Sequence, residues 1–481
     1  MVAYIFIILQ ASFICKGYEK IFSNFSLLLC PYSENSFLLY TKKYDIIITT
    51  IPHRKEWSKL NILVKNIKML MGGEIAEGDI CISGGTIAAA GTPPKEFTAE
   101  KIIDGSGKLA IPGLINCHAH SYMSLFRNLA DDLTFEDWLF GSIMPREDAL
   151  SPEDAYWGAM LSCAEMIKSG TVCFMDMHMF PNKCAEAAST LGMRAVMTRG
   201  LTGPDRTEKD AIRRFNEHMQ EREQWTDDPL ISFKLGPHAI YTCGRDYLEF
   251  LIEKAKETNQ EFHIHLSETV NEVKNCYKEQ GKSPVEYLNG MGFFDVKTAA
   301  AHCVHLSEHD MDILAEKNVS VIHNPKSNLK LANGIAPIPR LLEKGVNVCM
   351  GTDSQASNNT LNMFSEMNFA ALLHKGTTGI PTVCAAREVL DFATVNAAKA
   401  LGFEKTGAIA AGNKADICIL DLDRPEFYPR NDLAAALVYS ANGSEVDTVI
   451  INGEIVLEKG RLTKFDEEEI YAKAREVAER F

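Results

Sequence analysis

Two histidines, His118 and His120, stand one residue apart at the end of the apolar run in LINCHAHSYMSLFR. Side chains at positions i and i+2 of a β-strand point to the same face, so both imidazoles can reach a single ion. A third imidazole from His265 and an oxygen from Asp353 would complete the coordination shell. Histidine nitrogen and carboxylate oxygen suit zinc or another divalent first-row metal, so these four residues predict a metal site.

The same residues, together with two others, predict a reaction class. A metal with three or four protein ligands leaves a position for water and lowers the pKa of that water towards neutrality, so hydroxide becomes available as a nucleophile. His302 or Asp353 could take the proton of this water, and Glu268 could donate a proton to the substrate. The set therefore predicts metal-dependent hydrolysis.

Several of these residues also have a structural interpretation that the sequence leaves open. Asp353 in GTDS could cap the following helix, and Glu268 could be a surface carboxylate. His263 points the same way as His265, one layer deeper in the strand. It is either a packed strand histidine or a support for the site.

Two further residues bear on the number of metal ions. Lys234 could bridge two metals if it were carboxylated, but it lies four residues before His238 and therefore too deep in its strand. This position favours a single ion. His178, after the second predicted strand, is expected in a loop or at the rim of the site rather than among the ligands.

Eight apolar runs of strand length alternate with amphipathic helices over residues 113–402. The runs are GLINCHAH, GTVCFMDM, MRAVMTRGL, LISFKLGPH, EFHIHLSE, TAAAHCVH, VSVIHNP and NVCMGTDS. Eight strand–helix units predict a closed (β/α)8 TIM barrel. An open doubly wound sheet is the alternative, but it would normally carry a glycine-rich phosphate loop after its first strand, and GLINCHAH has none.

Polar residues fall at the carboxyl ends of these runs, where active sites of this fold lie. They are His118, His120, Arg199, His238, His265, Glu268, His302, His305, His323, Asn324 and Asp353. Because these ends converge on one mouth of a barrel, we expect most of the 13 histidines of the chain to lie there. Ser151 is expected to cap the helix that begins SPEDAYWGAM.

Short apolar runs broken by glycine lie on both flanks of the predicted barrel. We expect residues 61–112 and 403–462 to form one small composite β-sandwich domain, and residues 463–481 to form a C-terminal helix. Residues 1–60 form an atypical extension without a clear period or motif. They fit a poor export signal, a loosely attached extension or an upstream start outside the natural protein, and the last two interpretations are favoured.

Charge and cysteine content narrow the class of protein. The formal net charge is −15 and the pI is about 5.4, which has the wrong sign for binding nucleic acid or an anionic membrane. The 13 cysteines are scattered and no C-x-x-C pair occurs. This pattern predicts reduced thiols in the cytoplasm rather than a disulfide framework.

The chain from about Asn61 onward resembles the amidohydrolase superfamily, in particular its branch of 5-methylthioadenosine/S-adenosylhomocysteine deaminases. The matching segments are PGLINCHAHSYMSLFRNLADDLTFEDWL, MRAVMTRGL, GPHAIYTC, HIHLSET, AAHCVHL, VIHNPKSNLKLANGIAPI and GTDSQASNN. The resemblance implies a metal-dependent barrel with a flanking β domain. It also implies hydrolytic deamination of an adenosine derivative, a small-molecule nucleoside.

The resemblance assigns roles to individual residues. It implies one divalent ion, with zinc favoured and iron, nickel or manganese also suitable, on His118, His120, His265 and Asp353. It implies that Glu268 protonates the purine ring and that His302 orients or deprotonates the water. The implied substrate contacts are Trp138, Glu147, Arg199, His238, Glu268, Asp353 and Ser357.

Departures from the family pattern leave alternatives open. Ser354 and Gln355 stand where glycine and alanine are common, which is expected to change the rim of the pocket. Arg206 is the one candidate for a second arginine that would bind an amino-acid carboxylate. Guanine, cytosine or a chlorotriazine are alternative substrates, and the sequence leaves a homo-oligomer open. A cytidine-deaminase-like design is excluded because its H-x-E and P-C-x-x-C motifs are absent.

Overall fold

The structure is a computed structural model that describes residues 60–481 and the backbone of two earlier strands. These are β1 (Phe25–Leu29) and β2 (Phe37–Thr41), which pair antiparallel. Chain contacts separate two units, Met1–Ser58 and Lys59–Phe481. The predicted character of residues 1–60 lies almost wholly outside the described residues.

The second unit begins with five strands of the flanking domain. They are β3 (Ile62–Met71), β4 (Glu74–Ser83), β5 (Thr86–Gly91), β6 (Lys101–Asp104) and β7 (Lys108–Pro112). Gly72 and Gly73 join β3 to β4 with φ angles of 57° and 82°, a conformation that glycine adopts without steric cost.

Eight parallel strands follow and form the barrel. They are β8 (Leu114–Ala119), β9 (Thr171–His178), β10 (Arg194–Leu201), β11 (Ile231–Pro237), β12 (Phe262–Leu266), β13 (Thr298–His302), β14 (Ser320–His323) and β15 (Asn347–Met350). Each strand pairs with the next in the chain, and a parallel bridge from Ala119 to Asp353 closes the ring. The predicted (β/α)8 barrel is confirmed.

Helices lie between and after the barrel strands. They are α1 (Met144–Glu147), α2 (Pro152–Lys168), α3 (Pro181–Leu191), α4 (Lys209–Gln224), α5 (Arg245–Thr258), α6 (Val270–Gln280), α7 (Pro284–Gly290), α8 (Glu308–Glu316), α9 (Pro325–Lys330), α10 (Ile338–Glu343), α11 (Met363–Thr378), α12 (Ala386–Phe392) and α13 (Val395–Leu401). Short 3-10 turns span Ser121–Phe126 and Phe293–Asp295, and a π-helix spans Asp137–Ile143. Ser151 caps α2 in a reciprocal capping box with Asp154, as predicted.

The chain then returns to the flanking domain. It adds β16 (Ile417–Asp421), a 3-10 turn (Pro425–Phe427), α14 (Leu433–Tyr439), β17 (Val446–Ile451), β18 (Glu454–Glu458), β19 (Arg461–Leu462) and α15 (Glu467–Ala478). Strands β16 and β7 pair antiparallel, so both flanks join one nine-stranded mixed sheet. The small β domain built from both flanks is confirmed.

Packing of the second unit follows from its composition. The barrel strands are buried along almost their whole length because helices or the flanking sheet cover them, which explains why they are nearly continuous apolar runs. Arg194 of β10 and Asp416, just before β16, form a buried ion pair between barrel and sheet.

The eleven cysteines of the described part are unpaired and buried. Within the same part, no helix is both long and apolar enough to cross a membrane.

Candidate active site

Four predicted ligands converge at the carboxyl ends of the barrel strands. The Nε2 atoms of His118 and His120 lie 3.5 and 3.3 Å from Oδ1 of Asp353. The Nε2 atoms of His265 and His120 are 3.4 Å apart. The strand ends of β8, β12 and β15 therefore bring three imidazoles and one carboxylate to a common point.

Backbone carbonyls orient two of the imidazoles. Nδ1 of His120 lies 2.8 Å from the carbonyl oxygen of Met177, and Nδ1 of His265 lies 2.9 Å from that of His238. A carbonyl oxygen only accepts hydrogen bonds, so each Nδ1 must carry the proton. Each Nε2 then presents its lone pair to the cluster, which is the form that binds a metal.

A chain of hydrogen bonds fixes the third imidazole. His263 Nδ1 donates to the carbonyl oxygen of Ala299 at 3.1 Å, so His263 Nε2 is an acceptor. His118 Nδ1 lies 2.8 Å from that Nε2 and must be the donor. His118 Nε2 is left with its lone pair, is buried, and has no hydrogen-bond partner among the described residues.

This donor set fits a divalent metal ion. One ligand atom from each of His118, His120 and Asp353 lies within 4.8 Å of the other two. One ring nitrogen from each of His118, His265 and His302 forms a second group of this kind. Burial lowers the pKa of His118 to about 4, so the ring is neutral at pH 7 and able to bind a metal. An unpartnered buried nitrogen is costly, and an ion at this point would satisfy it.

Asp353 faces the histidines instead of capping a helix. Its backbone N–H donates to the carbonyl oxygen of His118 at 2.9 Å, and its φ angle is 62°. Oδ1 accepts from the backbone N–H of Ser354 and Oδ2 accepts from the hydroxyl of Ser327. These donors favour the carboxylate form. The helix that follows is capped by Asn362, so the alternative helix-capping role of Asp353 is wrong.

Glu268 is a buried carboxyl group beside this cluster. It is 5% exposed, and Oε1 accepts a hydrogen bond from Asn333 Nδ2 at 2.9 Å. Burial, followed by the negative charge of Asp353, raises the pKa of Glu268 to about 8, although the hydrogen bond from Asn333 partly opposes both effects. The alternative of a surface carboxylate is therefore wrong. At pH 7 this group holds a proton.

The predicted metal ligands His118, His120, His265 and Asp353 are called the metal-binding cluster below. His302 lies between Glu268 and this cluster. Its Nδ1 donates to Oδ1 of Asn328 at 2.8 Å, which leaves the lone pair on Nε2. That Nε2 is 3.8 Å from Oε2 of Glu268. The φ angle of His302 is 74°, an unusual value for a residue other than glycine, of the kind that clusters at functional sites. The arrangement supplies a buried base next to a buried acid.

Three of the predicted substrate contacts surround this centre. The His238 ring centroid lies 4.7 Å from that of His265, and its Nδ1 is 3.0 Å from the Thr242 hydroxyl. Trp138 is buried in the π-helix and donates from Nε1 to the carbonyl oxygen of Ala356. Ser357 is buried, and its hydroxyl lies 2.9 Å from that of Ser327. Because Ser327 donates its one hydroxyl proton to Asp353, Ser357 is the donor to Ser327.

Glu147, a fourth predicted substrate contact, is the last residue of α1. Its Oε1 accepts a hydrogen bond from the hydroxyl of Tyr122 at 2.7 Å. Tyr122 follows His120 by two residues, so this bond ties the α1 segment to the strand that carries two predicted ligands.

The two predicted arginines are held elsewhere by carboxylates. Arg199 makes two hydrogen bonds to Glu221 and an ion pair with Glu217, both on α4 outside the barrel. Arg206 pairs with Asp246 and with a further glutamate of α5. The structure does not bring either guanidinium to the metal-binding cluster, and the substrate role of Arg199 stays a prediction.

Three further residues allow a comparison of their observed positions with those expected from the sequence. His178 is not in a loop: it is the last residue of β9 and is buried with its ring stacked on Tyr122. Gln355 does not line the rim, because it is fully buried and donates to the Ser162 hydroxyl at 2.7 Å. Lys234 pairs with Glu261 and is away from the cluster, as its depth in the strand indicated.

Several residues that hold the predicted acid and base in place were not predicted from the sequence. Asn328 and Asn333 lie in the quoted segment NPKSNLKLAN, and each contacts a predicted catalytic side chain through its amide group. Glu272 accepts the backbone N–H groups of Ser267 and Glu268. The asparagine-rich segment after β14 was the available signal, since polar residues in a loop at the active-site end of a barrel have few structural reasons to be there.

Comparisons with known proteins cover the whole site. The amidohydrolase family model matches residues 109–456. A 5-methylthioadenosine/S-adenosylhomocysteine deaminase of Thermoanaerobacter pseudethanolicus is 46% identical over 85% of this chain and 97% of its own length. A 5'-deoxyadenosine deaminase of Methanocaldococcus jannaschii is 45% identical over 87% of this chain and 99% of its own. The crystal structure of a Xanthomonas campestris adenosine deaminase with bound zinc has a TM-score of 0.84 and 32% identity, covering 88% of this chain and 98% of that one.

Proposed function

Because the chain belongs to the amidohydrolase family, we propose that it catalyses metal-dependent hydrolytic deamination of adenosine derivatives. The reaction would release ammonia and leave the inosine analogue. The proposed substrates are 5-methylthioadenosine, S-adenosylhomocysteine or both, the compounds for which the similar Thermoanaerobacter protein is named. The observation that carries the proposal is the buried, proton-holding Glu268 beside a cluster that can hold a divalent ion.

The metal site of the proposal consists of His118, His120, His265 and Asp353. We assign zinc to it, the ion bound in the similar Xanthomonas structure, while iron, nickel and manganese also suit imidazole and carboxylate ligands. A bound divalent ion supplies Lewis acidity and lowers the pKa of a water molecule that it coordinates.

Glu268 is the proton donor of the proposal. A carboxyl group with a pKa of about 8 is mostly protonated at pH 7, so it can donate to the purine ring nitrogen next to the leaving amine. Protonation there prevents negative charge from building up in the ring as water adds to carbon six. The Asn333 amide holds Oε1, which leaves Oε2 to carry the proton.

His302 is the proposed base for the attacking water. Its Nε2 lone pair faces the cluster because Nδ1 is committed to Asn328. The proton that His302 takes, with Asp353 as the alternative acceptor, passes to the amino group, which then leaves as ammonia. The oxygen of the water stays on carbon six, and the ring nitrogen keeps the proton from Glu268. The second proton of the water leaves the hydroxyl group on carbon six as the carbonyl forms, and it returns Glu268 to its protonated state.

The remaining predicted residues would bind the nucleoside. Trp138 packs on the thioether side and Glu147 accepts hydrogen bonds from the ribose hydroxyls. His238 and Ser357 contact the substrate near the reacting ring, next to His265 and Asp353 respectively. A role for Arg199 would require its guanidinium to leave Glu221.

We further propose that the protein is cytoplasmic and acts on a small-molecule nucleoside. We propose that it binds neither nucleic acid nor membranes. The net charge of −15 supports the last point, because phosphate groups would be repelled. The buried, unpaired cysteines of the described part agree with a reducing compartment. A homo-oligomer is compatible with this proposal.

Ammonia release by the zinc-loaded protein tests the proposal. The panel contains 5-methylthioadenosine, S-adenosylhomocysteine and 5'-deoxyadenosine, with guanine, cytosine and a chlorotriazine as competing heterocycles. Turnover of the adenosine compounds supports the assignment. Turnover of guanine or cytosine alone, or chloride release from the triazine, would keep the metal site and contradict the nucleoside assignment.

A further inference from the structure

Tyr122 and Glu147 form a hydrogen-bonded pair at the edge of the site. The Tyr122 hydroxyl lies 2.7 Å from Glu147 Oε1, and the Tyr122 side chain is fully buried. The Tyr122 hydroxyl is the donor to the carboxylate.

The ring of Tyr122 has a fixed position relative to the metal-binding strand. It stacks on His178 with ring centroids 3.6 Å apart and an angle of 26° between the planes. The backbone N–H of Tyr122 also donates to Nε2 of His178 at 3.3 Å. Since Tyr122 follows His120 by only two residues, the position of its hydroxyl is fixed relative to the metal-binding cluster.

Glu147, by contrast, lies on a weakly supported segment. It is the last residue of the four-residue helix α1, which follows the π-helix Asp137–Ile143. So short a helix has little stability of its own. Among the described residues, Tyr122 is the partner that holds the Glu147 carboxylate, and it occupies only Oε1. Oε2 is left to accept from another donor.

We propose that Tyr122 is a positioning residue that aims Oε2 of Glu147 at the ribose and makes the site selective for nucleosides with free ribose hydroxyls. The inference rests on the proposed function. A ribose hydroxyl would satisfy the oxygen that Tyr122 leaves open. A substrate without hydroxyl groups would leave that oxygen desolvated and unpaired, which is the strongest form of discrimination between such analogues.

Tyr122→Phe tests this inference, because it removes the hydroxyl and keeps the stacked ring. The substrates are adenosine and 2',3'-dideoxyadenosine, which differ only in the ribose hydroxyls. For adenosine we expect kcat/KM to fall about tenfold, the effect of weakening one hydrogen bond to a charged group. The loss should lie mainly in KM, since ribose binding is similar in the ground and transition states. For 2',3'-dideoxyadenosine the variant should match the unmodified protein.

A double variant separates positioning from general damage. In a Glu147→Gln background, Tyr122→Phe should cause little further loss with adenosine, because the two residues act through one contact. Tyr247→Phe is the matched control: its hydroxyl donates to the carbonyl oxygen of Ala211, so the same chemical change removes a buried bond elsewhere. This control should not alter the preference between the two nucleosides.

Equal losses on both nucleosides, or no loss on adenosine, would overturn the role of Tyr122 and leave the proposed function intact. If the losses in kcat/KM caused by Tyr122→Phe and Glu147→Gln added up in the double variant, the role of Tyr122 would also be overturned. Absence of ammonia release from every adenosine compound by the unmodified, zinc-loaded protein would overturn the proposed function, and this inference with it.

Discussion

His263 Nε2 lies 2.8 Å from Nδ1 of His118, and the hydrogen bond runs from His118 to His263. The direction is fixed because the other nitrogen of His263 donates to the carbonyl oxygen of Ala299. A histidine that the sequence could equally assign to core packing thus determines which nitrogen of a predicted metal ligand is free. Burial lowers the pKa of His263 well below its usual value, so it remains a neutral acceptor.

We expect His263→Leu to weaken metal binding, because it leaves the His118 Nδ1–H buried without an acceptor. Loss of such a supporting partner typically lowers metal affinity by roughly 10- to 100-fold. Competition for zinc with a chromogenic chelator measures the change. His263→Gln, whose amide oxygen can accept the same bond, should restore part of the affinity.

A buried histidine away from the cluster supplies the control for this measurement. His218 Nε2 bonds to Oε1 of Gln260 on the other side of the barrel wall. His218→Leu should lower stability without changing zinc affinity. Unchanged zinc affinity in His263→Leu would contradict the orienting role of His263.

The pH profile should report the proton on Glu268. Its pKa is raised to about 8, so the protonated form that the mechanism needs is present below that pH and is lost as the pH rises through it. We therefore expect kcat/KM to fall on the alkaline side with an apparent pKa near 8.

Asn333→Ala should move that alkaline limb to higher pH. The Asn333 amide stabilises the carboxylate form of Glu268, so its removal raises the pKa further. Asn368→Ala, which removes an amide bond to a carbonyl oxygen of α14, is the control and should leave the limb in place. A shift to lower pH in Asn333→Ala would show that the limb belongs to another group.

Removal of the metal should lower the melting temperature. An ion that binds only the folded chain stabilises it by RT ln(1 + [L]/Kd), which is about 2.7 kcal/mol at a hundredfold excess over Kd. Dialysis against a chelator followed by thermal unfolding, with and without added zinc, measures the increment. We expect His120→Ala to remove most of it.

His309→Ala provides the comparison for the thermal measurement. His309 has 68% of its side chain exposed and lies outside the predicted ligand set, so its loss should leave the zinc increment unchanged. If zinc raised the melting temperature of His120→Ala as much as that of the unmodified protein, the stabilising ion would bind elsewhere in the chain.

The barrel and the main site were predictable because both rest on periodic patterns. Each of the eight runs is apolar since it is covered on both faces, and each carries a polar side chain at or near its carboxyl end. The prediction that His118 and His120 point to the same face required only the two-residue repeat of a strand.

Contacts between distant elements were not predictable. Arg199 follows the strand pattern as well as His238 does, but two glutamates one turn apart on α4, Glu217 and Glu221, hold its guanidinium. Gln355, two residues after Asp353, was expected at the pocket rim, whereas its side chain is buried and donates to the hydroxyl of Ser162. Such directions depend on three-dimensional packing that a periodic pattern does not contain.

Glu268→Gln is the most direct test of the central claim, that a buried, protonated carboxyl group beside a metal site drives deamination. The measurement is ammonia release from 5-methylthioadenosine by the zinc-loaded variant, with zinc content determined on the same sample. We expect kcat to fall by about 10²- to 10⁴-fold, the usual contribution of a general acid, at unchanged zinc content. Glu257→Gln, an exposed residue at the end of α5, should keep full activity. Full activity in Glu268→Gln with zinc bound would contradict the account.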